Sequence, residues 1–220
     1  MNSNFKVILA VGCLVLAALA CQTVTGGGGG NIPAVLLSDD FSSPLWGTGT
    51  DEGSSVEYAN EALQMIVFDK NLFVWSAPND QDYQNIHIEV TVINNNTDST
   101  TAFGPMCNQP AAVDGSYYYF AMTPAGQYTI AKGTAGQNDV FLTNNGAWAF
   151  SDLISENAFS YRVGADCGNG TLTLYVDGQQ IASVSDSTYT NGGVGLFTWS
   201  GEEATSTDVS FDDFIVNELP

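Results

Sequence analysis

The stretch Tyr161–Gly178, YRVGADCGNGTLTLYVDG, leaves this chain little choice of fold. Phe159, Tyr161, Val163, Ala165 and Cys167 fall on one side of an extended chain, and Leu172, Leu174 and Val176 continue the same alternation. A period of two is that of a strand with one buried face. Between the two runs stands Gly168-Asn169-Gly170, residues that tolerate the positive φ a tight hairpin needs. Asp177-Gly178 is a second turn signal, and Gln179–Val184 reads as a third strand. A meander of this kind commits its part of the chain to an antiparallel sheet.

The same grammar runs through the rest of the domain. Strands are expected at Val35–Phe41, Val56–Tyr58, Ala62–Phe68, Leu72–Ser76, Ile86–Ile93, Thr101–Cys107, Tyr117–Thr123, Tyr128–Lys132, Val140–Leu142, Phe159–Cys167, Thr171–Val176, Gln180–Val184, Gly193–Trp199 and Asp208–Asn217. Turn clusters separate them, among them Asn94-Asn95-Asn96, Asp114-Gly115, Asn145-Gly146 and Asn191-Gly192-Gly193. Ala147–Asn157 is the least strand-like piece, with room for a helical turn. Many short strands and no long helical period predict an all-β, two-sheet antiparallel sandwich.

Several segments carry a resemblance. FAMTPAGQYTIAK (Phe120–Lys132), YRVGADCGNGTLTLYVDGQQIASVSD (Tyr161–Asp186), GGVGLF (Gly192–Phe197) and VSFDDFIV (Val209–Val216) follow one another in an order that resembles the concanavalin A-like lectin/glucanase superfamily, as do LLSDDFSSPLW (Leu36–Trp46) and EALQMIV (Glu61–Val67). Within it the chain is most similar to laminin-G-like and 3-keto-disaccharide-hydrolase-like domains, over about residues 34–218. The resemblance implies a jelly roll. It says little about activity, because that fold hosts enzymes, lectins and adhesion modules. It also implies that Cys107 and Cys167 lie on neighbouring strands. Outside the cytoplasm two such cysteines pair, so a disulfide is expected, closing a loop of 60 residues. A metal site on two cysteines without further ligands at suitable spacing is the weaker alternative.

Residues 1–20 read as a leader, with Lys6 ahead of the apolar run Val7–Ala20, too short for an ordinary membrane span. The run ends in Ala18-Leu19-Ala20-Cys21, which resembles the lipobox of bacterial lipoproteins, although Ala18 stands where those usually have Leu. Cys21 is then the lipidated mature N-terminus, residues 21–33 with Gly26–Gly30 are a flexible tether, and residues 34–220 are the domain. The alternative is a plain signal peptide cut near Ala20. The expected location is extracytoplasmic, at the cell surface or in the periplasm, with membrane contact through the lipid alone.

The net charge is −20, and outside the leader only Lys70, Lys132 and Arg162 stand against 24 acids. Such a chain repels phosphate backbones, so nucleic acid is excluded as a partner. Catalytic machinery is not legible. The Glu-x-Asp-x-x-Glu motif of the superfamily's glucanases, which places its acids on one strand face, is absent. Glu89 stands alone on its strand, and His87, the single histidine, falls on the face opposite Ile86, Ile88, Val90 and Val92. No serine sits in a Gly-x-Ser-x-Gly setting. No catalytic residue is therefore assigned.

Two features remain. Asp39-Asp40-Phe41 and Asp212-Asp213-Phe214 open and close the domain. If the first and last strands pair, Asp40, Asp212 and Asp213 could meet at an edge and hold a structural calcium; otherwise these aspartates serve nearby backbone N–H groups. The second feature is aromatic. With Tyr118, Phe120 and Met122 in the core, Tyr117 and Tyr119 face the other way. With Val194 and Leu196 in the core, Phe197 and Trp199 do so too, and Phe73 and Trp75 follow if Val74 is buried. Such rings can also fill a second apolar layer beneath loops. The expectation is that Tyr117, Tyr119, Trp199, Phe197 and Trp75 bind a glycan, with Tyr117, Tyr119 and Trp199 lining one concave surface. Carbohydrate binding is thus the expected function; the alternatives are a glycan-active enzyme of the 3-keto-disaccharide-hydrolase type and an adhesion module that binds protein.

Overall fold

The structure is a computed structural model and describes residues 33–78, 81–95, 98–109, 115–203 and 207–219. The leader, Cys21, the glycine run and the turn residues Asn96 and Asp114 lie outside the described residues. Among the described residues sixteen strands make two antiparallel sheets. In chain order they are β1 (Val35–Asp39), β2 (Gly49–Thr50), β3 (Ser54–Ala59), β4 (Ala62–Val67), β5 (Phe73–Ser76), β6 (Ile86–Asn94), β7 (Ala102–Gln109), β8 (Ser116–Met122), β9 (Gln127–Thr134), β10 (Val140–Phe141), β11 (Ala149–Phe150), β12 (Ser160–Gly168), β13 (Thr171–Val176), β14 (Gln179–Ser185), β15 (Gly193–Trp199) and β16 (Thr207–Glu218).

The nine-stranded sheet runs β14-β13-β12-β6-β16-β4-β3-β2, with β1 also on β16. The seven-stranded sheet runs β10-β9-β8-β7-β15-β5, with β11 also on β9. Every expected strand is present. β2 and β11, two residues each, were too short to show a period. Ala147–Asn157 holds β11 and turns, with no helix, because Ala149 and Phe150 add to the edge of β9. Phe159 departs from the alternation: it precedes β12 and is 75% exposed.

The turns act as their residues dictate. Asn169 and Gly170 have φ of 53° and 72° between the paired Gly168 and Thr171, and Asp177 and Gly178 repeat this with 50° and 75°. Positive φ at both central residues gives a turn whose twist matches the flanking strands.

The core lies between the sheets. From the nine-stranded sheet come Leu63, Met65, Ile86, Ile88, Val90, Val92, Val163 and Leu174; from the other come Phe103, Tyr118, Phe120, Met122, Ile130 and Leu196. All are fully buried, and burial of each large side chain contributes roughly 1.5–3 kcal/mol. The expected disulfide is present, Cys107 to Cys167 with Cα atoms 6.6 Å apart. It differs from expectation in place. Cys107 is on β7 and Cys167 on β12, so the bridge spans the two sheets instead of joining neighbours in one.

Candidate functional site: an aromatic cleft on the outer face of the seven-stranded sheet

Residues that face away from the core on this sheet form a second, smaller apolar cluster. It holds Ala102, Met106, Tyr119, Ala121, Ala131 and Phe197, with Phe73, Tyr117, Phe141, Trp148 and Trp199 packed against it. Cross-strand pairing builds it. Trp199 lies opposite Phe73 and Ala102, and Phe197 opposite Gly104, while Tyr119 pairs with Ala131 and Tyr117 with Gly133. Small residues on β7 and β9 thus sit beside large rings on β5, β8 and β15, and the difference in height makes a hollow. Gly133 is needed for it: a Cβ there would come within 2.6 Å of the Tyr117 ring. Phe141 and Trp148, 6.1 Å apart and edge to face, close the other side.

The hollow is a cleft of about 370 Å³, a size typical of small-ligand pockets. Phe73 and Phe197 stack at 4.8 Å, and Tyr119 meets Phe197 edge-on at 5.3 Å. Polar groups are few and placed. Trp199 Nε1 donates to Asn71 Oδ1 at 3.1 Å, and the Tyr119 hydroxyl donates to Asp139 Oδ2 at 2.8 Å. Burial, then the Asp139 charge, pushes the Tyr119 hydroxyl far up and raises that of Tyr117, so both remain protonated at physiological pH.

Sequence parity is right about the faces and incomplete about depth. Tyr117, Tyr119, Phe197 and Trp199 all line this cleft. Tyr119 and Phe197 are only 5% and 1% exposed, however, and form its floor; Tyr117 and Trp199 are the partly exposed walls. Trp75 faces the same side but is 50% exposed and lines a separate open groove with Gly47–Thr50 and Pro78. Asn71, Asp139, Phe141 and Trp148 were missed. They lie in turns or in the two-residue β10, where no period reveals a face.

The acids at the termini behave differently. β1 does pair with β16, and β16 carries a bulge between Asp212 and Ile215, with Asp213 at φ 49°. Yet Asp40 accepts from Ser42 N–H at 3.1 Å, and Asp212 from Asp213 N–H at 2.7 Å. Asp39 accepts from Phe41 N–H at 2.9 Å and from Trp46 Nε1 at 2.8 Å. Among the described residues no three His, Cys, Asp or Glu side chains are arranged to hold a metal ion. Asp40 and Asp212 thus serve local backbone N–H groups, and Asp39 serves both a backbone N–H and the Trp46 indole. Burial, with Asp213, Asp40 and Glu61 nearby, raises Asp212.

His87 is on the outer face of the other sheet. Its Nδ1 is 2.6 Å from Asp166 and its Nε2 3.4 Å from Glu89. Asp166 also accepts from the Tyr175 hydroxyl, and Glu89 from Arg162. No element of this network reaches the cleft.

No protein-family model matches the chain, and no curated protein does. Solved structures share its fold at low identity. A carbohydrate-binding module, CBM66 from Bacillus subtilis, superposes with a TM-score of 0.62 at 13% identity, over 79% of this chain and 96% of that one. A Bacillus licheniformis β-glucanase gives 0.58 at 11%, over 84% and 98%. The κ-carrageenase of Pseudoalteromonas carrageenovora gives 0.57 at 11%, over 90% and 99%. The chain is thus similar in architecture to jelly-roll domains of the concanavalin A-like and galectin-like kind.

Proposed function

We propose that this domain binds carbohydrate in the aromatic cleft of the seven-stranded sheet. The observation that carries the reading is the convergence of Tyr117, Trp199, Phe73, Phe141 and Trp148 around one hollow with Asn71 and Asp139 among them. The apolar face of a pyranose packs on aromatic rings while its hydroxyls need a few fixed polar partners. The carbohydrate names of the fold neighbours support the same reading. Binding is favoured over hydrolysis because Asp139 is the only carboxylate among the described lining residues, and hydrolysis between two carboxylates needs a second. A concave cleft also suits a small ligand better than a flat protein epitope does. The test is retention of the purified protein by a panel of immobilised polysaccharides; retention by none of them would end the proposal.

The domain is displayed outside the cytoplasm on a lipid attached to Cys21, in this reading. Support comes from Ala18-Leu19-Ala20-Cys21, the glycine run behind it and the cross-sheet disulfide, which suits an oxidising compartment. Mass spectrometry of the mature N-terminus tests it: a diacylated or triacylated Cys21 is expected, and a bare cysteine would refute it.

A further inference from the structure

We propose that the cleft accepts uncharged saccharides and rejects those carrying carboxylate or sulfate, and that Asp139 sets this choice. The proposal rests on the carbohydrate reading above. Asp139 stands exposed just before β10, and its Oδ2 is held by the Tyr119 hydroxyl at 2.8 Å. An ionised carboxylate offers about four acceptor sites over its two oxygens. One is used by Tyr119, which leaves the group free to accept sugar hydroxyls in a fixed position.

Nothing offsets that charge within the cleft. The domain has three basic side chains, and none is among the lining residues. Lys132 donates to Asp186 and to Thr188, both at 2.8 Å. Arg162 lies on the other sheet and binds Glu89 at 3.2 Å and the Asp213 carbonyl at 2.7 Å. Lys70, next to Asn71 in the chain, is 3.7 Å from Glu203. A sugar acid entering here would lose hydration without meeting a counter-charge, would approach Asp139, and would face the electron-rich π surfaces of the walls. The net charge of −20 adds a field of the same sign. A neutral sugar meets only matched groups: the Asp139 carboxylate and Asn71 for its hydroxyls, and the rings for its C–H face.

The experiment uses a matched pair: a neutral polysaccharide that the protein retains, and the same polymer after its primary hydroxyls are oxidised to carboxylates. At low salt the oxidised form is expected to bind about tenfold more weakly or worse. Raising the salt, and separately Asp139→Asn, should each narrow that gap. Asp139→Asn should also weaken binding to the neutral polymer, because an amide accepts hydroxyls less strongly than a carboxylate. Equal retention of the two polymers by the wild type overturns the proposal, as does a gap that Asp139→Asn leaves unchanged, whether or not salt narrows it. The salt series reads charge repulsion of any origin, so the assignment to Asp139 rests on the variant; Asp139 is exposed, and Asp139→Ser takes the place of Asp139→Asn if the latter folds poorly. If no neutral polymer is retained at all, the carbohydrate reading itself falls, which is a different result from equal retention.

Discussion

Tyr117 reaches over Gly133, and that contact shows how one absent side chain shapes the cleft. A Cβ at Gly133 would overlap the ring at 2.6 Å, so Gly133→Val must push Tyr117 out of the wall. Because Gly133 is on the outer face, the inter-sheet core is untouched. Loss of polysaccharide retention by tenfold or more is expected, with the protein still folded by circular dichroism; retained binding would mean Tyr117 is not part of the site. His87 makes a prediction of another kind. The hydrogen bond to Asp166 is the largest influence on its ring, and despite partial burial its pKa is raised. A raised pKa means folding favours the protonated ring. The resulting stability is fully present below the unfolded value of about 6.5 and fades as pH climbs through the higher folded value. Thermal unfolding from pH 5.5 to 9 should show the wild type losing stability above about pH 6.5, and His87→Gln should lack that component. Identical profiles would refute the assignment.

Among elements, β16 is the one whose behaviour the sequence half revealed. Strict alternation from Val209 to Val216 sends Asp212 and Asp213 to opposite faces, and only a bulge can alter that. The bulge is present, and it lets one strand serve two partners on the same side: Thr207–Phe211 pairs with β4 and Phe214–Asn217 with β1, while β6 runs along the other edge. The acids at this seam are committed to Ser42, Asp213 and Trp46, so excess chelator should leave the melting temperature unchanged. A fall of several degrees would show a metal that these side chains do not account for. The link between β7 and β12 has a larger expected effect. Closing a 60-residue loop is worth about 4 kcal/mol in the chain-entropy model, so Cys107→Ala with Cys167→Ala should lower unfolding stability by roughly 2–4 kcal/mol in denaturant titration. Two free thiols in the unreduced, denatured wild type would contradict the pairing.

Over the whole molecule, period-two alternation and turn chemistry made the strands legible, since each strand has one face against a continuous core. Which sheet each strand joins was not legible, and that is why Cys107 and Cys167 were expected side by side instead of across the sandwich. Parity gave the outward face of Tyr117, Tyr119, Phe197, Trp199 and Trp75. It could not say that Phe73 covers Phe197, that Tyr119 is capped by Asp139, or that Trp75 falls outside the hollow, because depth depends on neighbouring strands. The central claim is that the cleft, and not exposed aromatic surface in general, holds the sugar. Affinity electrophoresis in a gel carrying a retained neutral polysaccharide compares three proteins most directly: wild type, Tyr117→Ala with Trp199→Ala, and Trp75→Ala. The cleft variant should migrate as though no polysaccharide were present and Trp75→Ala should be retarded like the wild type; retardation of the cleft variant, or its loss in Trp75→Ala alone, would contradict the account.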